Sequence, residues 1–148
     1  MPVDVTTEIV INCEPAAVAA YASDPAHVPN WYANIKQVHW ETPPPLRLGT
    51  RVRFVAQFLG RELVYTYEVI EYIAGQRLIM RTAEGPFPME TTYTWAPVPD
   101  GATRMTLRNR GEPSGFSRIA APLMSMMIRK ENQKDLARLK QILERGGF

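Results

Sequence analysis

The chain has 148 residues, 45% of them hydrophobic and 22% charged, with 17 basic against 15 acidic side chains. That length suits one domain, residues 1–148, able to bury roughly two thirds of its unfolded surface without a disulfide or metal staple. The composition excludes a disordered chain. The near-balanced charge gives no basic stripe for a nucleic-acid backbone, because Arg47, Arg51, Arg53, Arg61, Arg77 and Arg81 are scattered. No run approaches the 18 apolar residues of a membrane-spanning helix. No basic-then-apolar leader opens the sequence. A lone cysteine, Cys13, ends an apolar run and reads as an inert, buried thiol. A reducing, cytoplasmic setting fits these features.

Val3 to Cys13 reads as a strand, with Val3, Val5, Thr7, Ile9 and Ile11 on one face. Pro15 then opens a short helix over Ala16–Ala22, where its missing N–H costs nothing. Ser23-Asp24-Pro25 breaks that helix, and a second short one is expected from Ala26 to Trp31. Ile35 to Thr42 reads as a strand, followed by an exposed Pro43-Pro44-Pro45 segment that no sheet interior accepts. Arg51 to Leu59 alternates apolar and polar residues. A tight connection at Gly60-Arg61 leads to a strand from Glu62 to Tyr72. Arg77 to Ala83 is next, interrupted by Glu84-Gly85-Pro86. Pro88 to Ala96 follows, with Met89, Thr91, Tyr93 and Trp95 on one face. Pro97-Val98-Pro99-Asp100-Gly101 is the strongest turn signal, and Thr103 to Arg110 is the last strand.

From Gly115 the apolar spacing becomes helical, through Phe116, Ile119, Ala120, Leu123, Met127 and Ile128, then Leu136, Leu139, Ile142 and Leu143. Ser114 or Ser117 can cap its start, Pro122 predicts a kink or short lead-in, and Gly146-Gly147 stops it. Residues 113–148 carry seven Lys/Arg against three Asp/Glu. A solvated helix face accounts for that; an anionic ligand or membrane surface is the sharper reading. Strands joined by short turns are antiparallel, and their apolar faces need a cover that only the C-terminal helix is long enough to supply.

This order resembles the helix-grip fold of the START-like (SRPBCC) superfamily, nearest its polyketide cyclase/dehydrase-like branch. The residues that carry the resemblance run the length of the chain. They are Ile9-Val10-Ile11-Asn12 with Glu14-Pro15, Ser23-Asp24-Pro25 with Trp31, and Gly49. Asp100-Gly101-Ala102-Thr103-Arg104 and the tail from Lys130 to Glu144 complete them. The resemblance implies an α+β domain. A curved antiparallel sheet of about seven strands grips a long C-terminal helix, two short helices follow the first strand, and a cavity lies between sheet and helix. Fold alone selects no reaction.

The aromatic and sulfur-bearing side chains either fill a core or line that cavity. The resemblance favours the cavity for Trp31, Phe58, Tyr67, Tyr93, Met124 and Met127. Phe54 and the inward polar Asn109 join them as ligand-binding candidates. Leu136, Leu139 and Leu143 read as solid core. Tyr65 and Tyr67 share a strand face, where a phenol can orient a ligand carbonyl or steady an enolate oxygen. With Glu68 they are the candidate proton-handling groups, and simple packing with a hydrogen bond is the plainer account. Glu68, Glu90 and Arg108 sit mid-strand. Cross-strand pairing on a solvated face explains them, and Arg108 inside the cavity is the alternative. His27 and His39 have no metal-site spacing, no catalytic triad is visible, and no motif asks for a cofactor.

Three functions fit. The first is binding of a small apolar molecule: a lipid, quinone or polyketide-like aromatic. The second is a cyclase, aromatase or dehydratase that folds its substrate in the cavity. The third is a protein-interaction or chaperone-cofactor module with a filled core. The sequence leaves open whether a reaction is catalysed, and allows a monomer or homodimer.

Overall fold

A computed structural model describes residues 3–85, 87–112 and 121–146. Seven strands form one antiparallel sheet in the order β1-β7-β6-β5-β4-β3-β2. They are β1 (Val3–Ile11), β2 (Ile35–Trp40), β3 (Arg51–Phe58), β4 (Arg61–Ile73), β5 (Arg77–Glu84), β6 (Met89–Val98) and β7 (Ala102–Gly111). The first two strands occupy opposite edges, so the chain between them must cross the sheet. Helix α1 (Pro15–Ala22), a 3-10 turn (Pro25–His27) and α2 (Val28–Trp31) make that crossing. Helix α3 (Ala121–Glu144) lies in the concave face. This is the curved sheet, long helix and pair of short helices that the sequence leads one to expect.

The residue patterns explain the elements. In β1, Val3, Val5, Thr7 and Ile11 are buried while Asp4, Thr6, Glu8 and Val10 are exposed, which is the period-two alternation of a one-sided sheet. Pro15 opens α1 as expected. Asp24 caps the 3-10 turn by accepting the Ala26 N–H at 2.9 Å. The β3–β4 hairpin turns at Leu59-Gly60, one residue earlier than expected. Both residues have positive φ, 53° and 75°, which a two-residue hairpin of matching twist demands.

Strand β4 is the longest, and its register against β5 shifts at Thr66/Tyr67 and at Val69/Glu71. Such irregularities bend and twist a sheet, and here they fall beside the concave face. At Gly85 the chain passes over Tyr65 so closely that a Cβ would lie 2.8 Å from that residue's own Cβ. Glycine therefore permits the crossing.

Helix α3 buries one stripe: Met124, Asn132, Asp135, Leu136, Leu139 and Leu143. Its opposite flank covers the open edge of β1. Arg129 Nη1 donates to the Thr6 carbonyl at 2.9 Å, and Lys140 Nζ to the Val10 carbonyl at 2.7 Å. Those groups would otherwise template another strand. Glu144 accepts the Asn12 N–H at 2.9 Å, and the Cys13 thiol, half-buried, donates to the Leu143 carbonyl at 3.5 Å. Pro122 lies in the first described turn of α3, and the kink or lead-in expected before it lies outside the described residues. The expected caps at Ser114 and Ser117, and the stripe positions Phe116, Ile119 and Ala120, lie outside the described residues. Gly146 ends the helix with φ 71°.

The buried side chains form three clusters. The largest joins Ile11, Val18, Trp31, Leu78, Trp95, Met105 and Leu107 to Leu136, Leu139 and Leu143 of α3. A second gathers Val3, Val5, Leu63 and Met124, and a third Val28, Ile35, Val52, Phe54 and Ala56.

Candidate functional site

Between the three clusters is a cavity of about 160 Å³. Its apolar wall comes from Phe54, Ala56 and Phe58 on β3, Leu63 and Tyr65 on β4, Met80 on β5, Met89 on β6, and Met124 and Ile128 on α3. These are inward positions of adjacent strands, two residues apart, and helix positions four apart. Secondary-structure periodicity alone therefore brings them together. Phe54 packs edge-on to Tyr67 with ring centres 5.9 Å apart, and Tyr65 meets Tyr67 at 5.1 Å.

Two polar groups interrupt this wall. On the sheet, the Thr91 hydroxyl donates to Asn109 Oδ1 at 2.6 Å, and the Tyr67 hydroxyl lies 3.1 Å from Thr91 Oγ1. Thr91 has a single proton and gives it to Asn109, so Tyr67 is the donor in the second bond. The other group lies where α2 meets α3. Tyr32 and Tyr93 hydroxyls are 2.7 Å apart. Asp135 accepts the Ala33 N–H at 3.1 Å, and Asn34 Nδ2 donates to Glu131 at 3.4 Å. Asn132 is 5% exposed, and its amide nitrogen has no hydrogen-bond partner among the described residues.

Burial governs the electrostatics. Desolvation pushes the phenols of Tyr32, Tyr65 and Tyr93 upward and raises Tyr67 to about 12. All four keep their protons at neutral pH and act there as hydrogen-bond donors rather than bases. Desolvation also lifts the Asp135 carboxyl to about 7, reinforced by Glu131. The Ala33 N–H, Arg138 and Lys134 pull the other way.

The sequence candidates divide cleanly in space. Phe54, Phe58, Tyr65, Tyr67, Tyr93, Asn109 and Met124 all line the cavity. Trp31, Met127 and Glu68 stand outside the lining. Trp31 is fully buried in the largest cluster, its ring 4.4 Å from that of Tyr32 and 5.8 Å from that of Tyr93. It backs the phenol pair rather than facing the void. The chain leaves α2 at Tyr32 in an extended conformation, so the next residue along lines the cavity instead. Met127 is half-buried on α3 and, although it follows Met124 by three residues, lies outside the lining.

Glu68 pairs with Arg51 on the outer face at 3.3 Å. Arg108 is also outside, gripping both carboxylate oxygens of Asp4 at 2.9 and 2.6 Å, while Arg110 pairs with Glu90. The solvated cross-strand reading of these charges is therefore the observed one, and Arg108 is not in the cavity. His27 stacks on Tyr21 with ring centres 4.1 Å apart, and His39 contacts Gln37 on β2.

Sequence reasoning passed over Tyr32, Thr91, Asn132 and Asp135. A signal existed for three of them. Thr91 is the polar residue on the Met89–Tyr93–Trp95 face. Asn132 and Asp135 interrupt the stripe that runs from Met124 through Ile128 to Leu136. Tyr32 had none, since its position follows from how α2 ends.

A sheet gripping a helix around a largely apolar cavity defines a START-like ligand-binding architecture. The polyketide cyclase / dehydrase and lipid transport family matches residues 2–144, and the chain belongs to that family. Its fold is similar to that of a protein from Thermus thermophilus, with a TM-score of 0.80, 21% identity, and 98% of this chain and 99% of that one covered. A START superfamily protein from Mycobacterium smegmatis superposes with a TM-score of 0.81 at 14% identity, covering 96% and 97%. The Zhui aromatase/cyclase from Streptomyces sp. R1128 gives 0.78 at 13% identity, covering 98% and 95%. At these identities the likeness is one of fold. Comparison with curated proteins finds no match. No described helix is long and apolar enough to cross a membrane.

Proposed function

We propose that the protein binds a small, mainly apolar molecule in the cavity between its sheet and α3. The cavity itself carries this reading: about 160 Å³, with aromatic and methionine walls and a few convergent polar groups. Its size narrows the ligand. An apolar protein cavity of about 150 Å³ accepts a benzene molecule, so a one- or two-ring compound suits this space better than a long acyl chain. The void also argues against an interaction module with a filled core.

Naphthalene is a suitable probe. Saturable one-to-one binding is expected by saturation-transfer NMR or calorimetry, and Ala56→Phe, which fills the space from β3, should abolish it. If that variant does not fold, Met124→Phe fills the same cavity from α3. Naphthalene binding that survives the filling of the cavity would sink the proposal.

A further inference from the structure

The cavity lining has a marked charge asymmetry. Among the described residues it contains no lysine, arginine or histidine, yet it includes two carboxyl groups, Glu131 and Asp135. Lys134 and Arg138 neighbour these acids on α3 but are exposed and outside the lining. Lys134 lies 3.9 Å from Glu131, and Arg138 is committed to the Asn30 carbonyl at 2.8 Å. A carboxylate entering this cavity would lose its hydration and meet like charge, with no cation in the described lining.

The same side has unused neutral hydrogen-bonding capacity. Asn132 is buried and its amide nitrogen has no partner among the described residues, which costs about 1–3 kcal/mol in a finished core. The Tyr32–Tyr93 pair is separated by 2.7 Å. Only one proton can lie between the two oxygens, so the pair retains a second O–H. An amide and a spare phenol proton beside an apolar void are what a carbonyl or hydroxyl oxygen would engage.

We infer that the bound molecule carries an uncharged hydrogen-bonding head, a hydroxyl or carbonyl on a one- or two-ring aromatic body, seated against Asn132, Tyr32 and Tyr93, and that carboxylates are rejected. This rests on the binding function proposed above and adds the chemistry of the head group. Asp135, held up to about 7 by burial, enforces the rejection most strongly in mildly alkaline solution, where it is ionised.

Three matched probes separate the possibilities: naphthalene, 2-naphthol and 2-naphthoate, titrated in mildly alkaline buffer where 2-naphthol keeps its proton. 2-Naphthol should bind about tenfold tighter than naphthalene, the worth of one good hydrogen bond. 2-Naphthoate should bind at least about tenfold more weakly than 2-naphthol. Asn132→Leu should bring the naphthol-to-naphthalene affinity ratio toward one. Asp135→Asn, which keeps an acceptor for Ala33, should raise naphthoate affinity several-fold. Should either variant fail to fold, the other still decides. Naphthoate binding as tightly as naphthol, or a ratio untouched by Asn132→Leu, overturns the inference. Loss of naphthalene binding in the unmodified protein instead defeats the binding function itself, so the two failures are distinguishable.

Discussion

The two halves of α3 do different work on one continuous stripe. Toward the C-terminus, Leu136, Leu139 and Leu143 are fully buried in the largest cluster with Ile11, Leu78, Trp95 and Met105. Toward the N-terminus, Met124 and Ile128 face the cavity, and Asn132 and Asp135 are buried beside it. A core that closes completely gains dispersion and apolar burial at every position. A wall that faces a void forgoes part of that gain, and here it carries the side chains of Asn132 and Asp135. The helix is thus a lock at one end and a receptor wall at the other.

The largest expected effect tests the lock. Leu139→Ala should destabilise the protein by about 2–5 kcal/mol in chemical denaturation, because the surrounding cluster is closed and leaves a new hole. Met124→Ala should cost less, since its side chain already borders empty space. Equal costs would erase the distinction between the two halves.

The next effect concerns the wall. The Asp135 carboxyl titrates near 4 in an unfolded chain and at about 7 when folded. Between those values the folded state holds a proton that the unfolded chain has released. Stability should therefore fall, by on the order of a few kcal/mol, as pH rises from about 4 to about 7, and level off above. Asp135→Asn should flatten that slope; thermal melts across this range that match the unmodified protein would remove Asp135 from the account.

The smallest effect belongs to the outer face. Arg108→Ala breaks the grip on Asp4, but both partners are well exposed. Exposed pairs contribute little and are screened by salt. The melting midpoint should stay within the scatter of replicates. A clear drop at high salt would mean that this face matters more than either half of α3.

The contrast between the halves of α3 was half legible beforehand. Leu136, Leu139 and Leu143 announce a closed core by spacing alone, and the methionine-rich first half suggests a wall. What hid Asn132 and Asp135 is that a helical stripe is recognised by its apolar members, so its polar interruptions read as solvated positions. Trp31 was misplaced for the opposite reason. A large aromatic in a short helix looks like a rim residue, but the four-residue α2 buries it and leaves Tyr32 at the cavity. Glu68 and Arg108 fell on the solvated face because strand alternation puts them opposite Tyr67 and Asn109, once the bulges of β4 are in place.

Local chemistry in the sequence determined the strands, their inward faces and the presence of a long covering helix. Alternation, turn residues and helical spacing are properties of neighbours along the chain. It also determined most of the cavity's aromatic wall, since Phe54, Phe58, Tyr65, Tyr67 and Tyr93 are inward residues of strands that the pattern already identifies. Only tertiary structure decided that these walls stop short of one another and leave about 160 Å³ between them. It alone set the Tyr32–Tyr93 pair and the Ala33–Asp135 contact. The first joins the end of α2 to β6 and the second joins it to α3, across 61 and 102 residues of chain, distances over which no local pattern carries information.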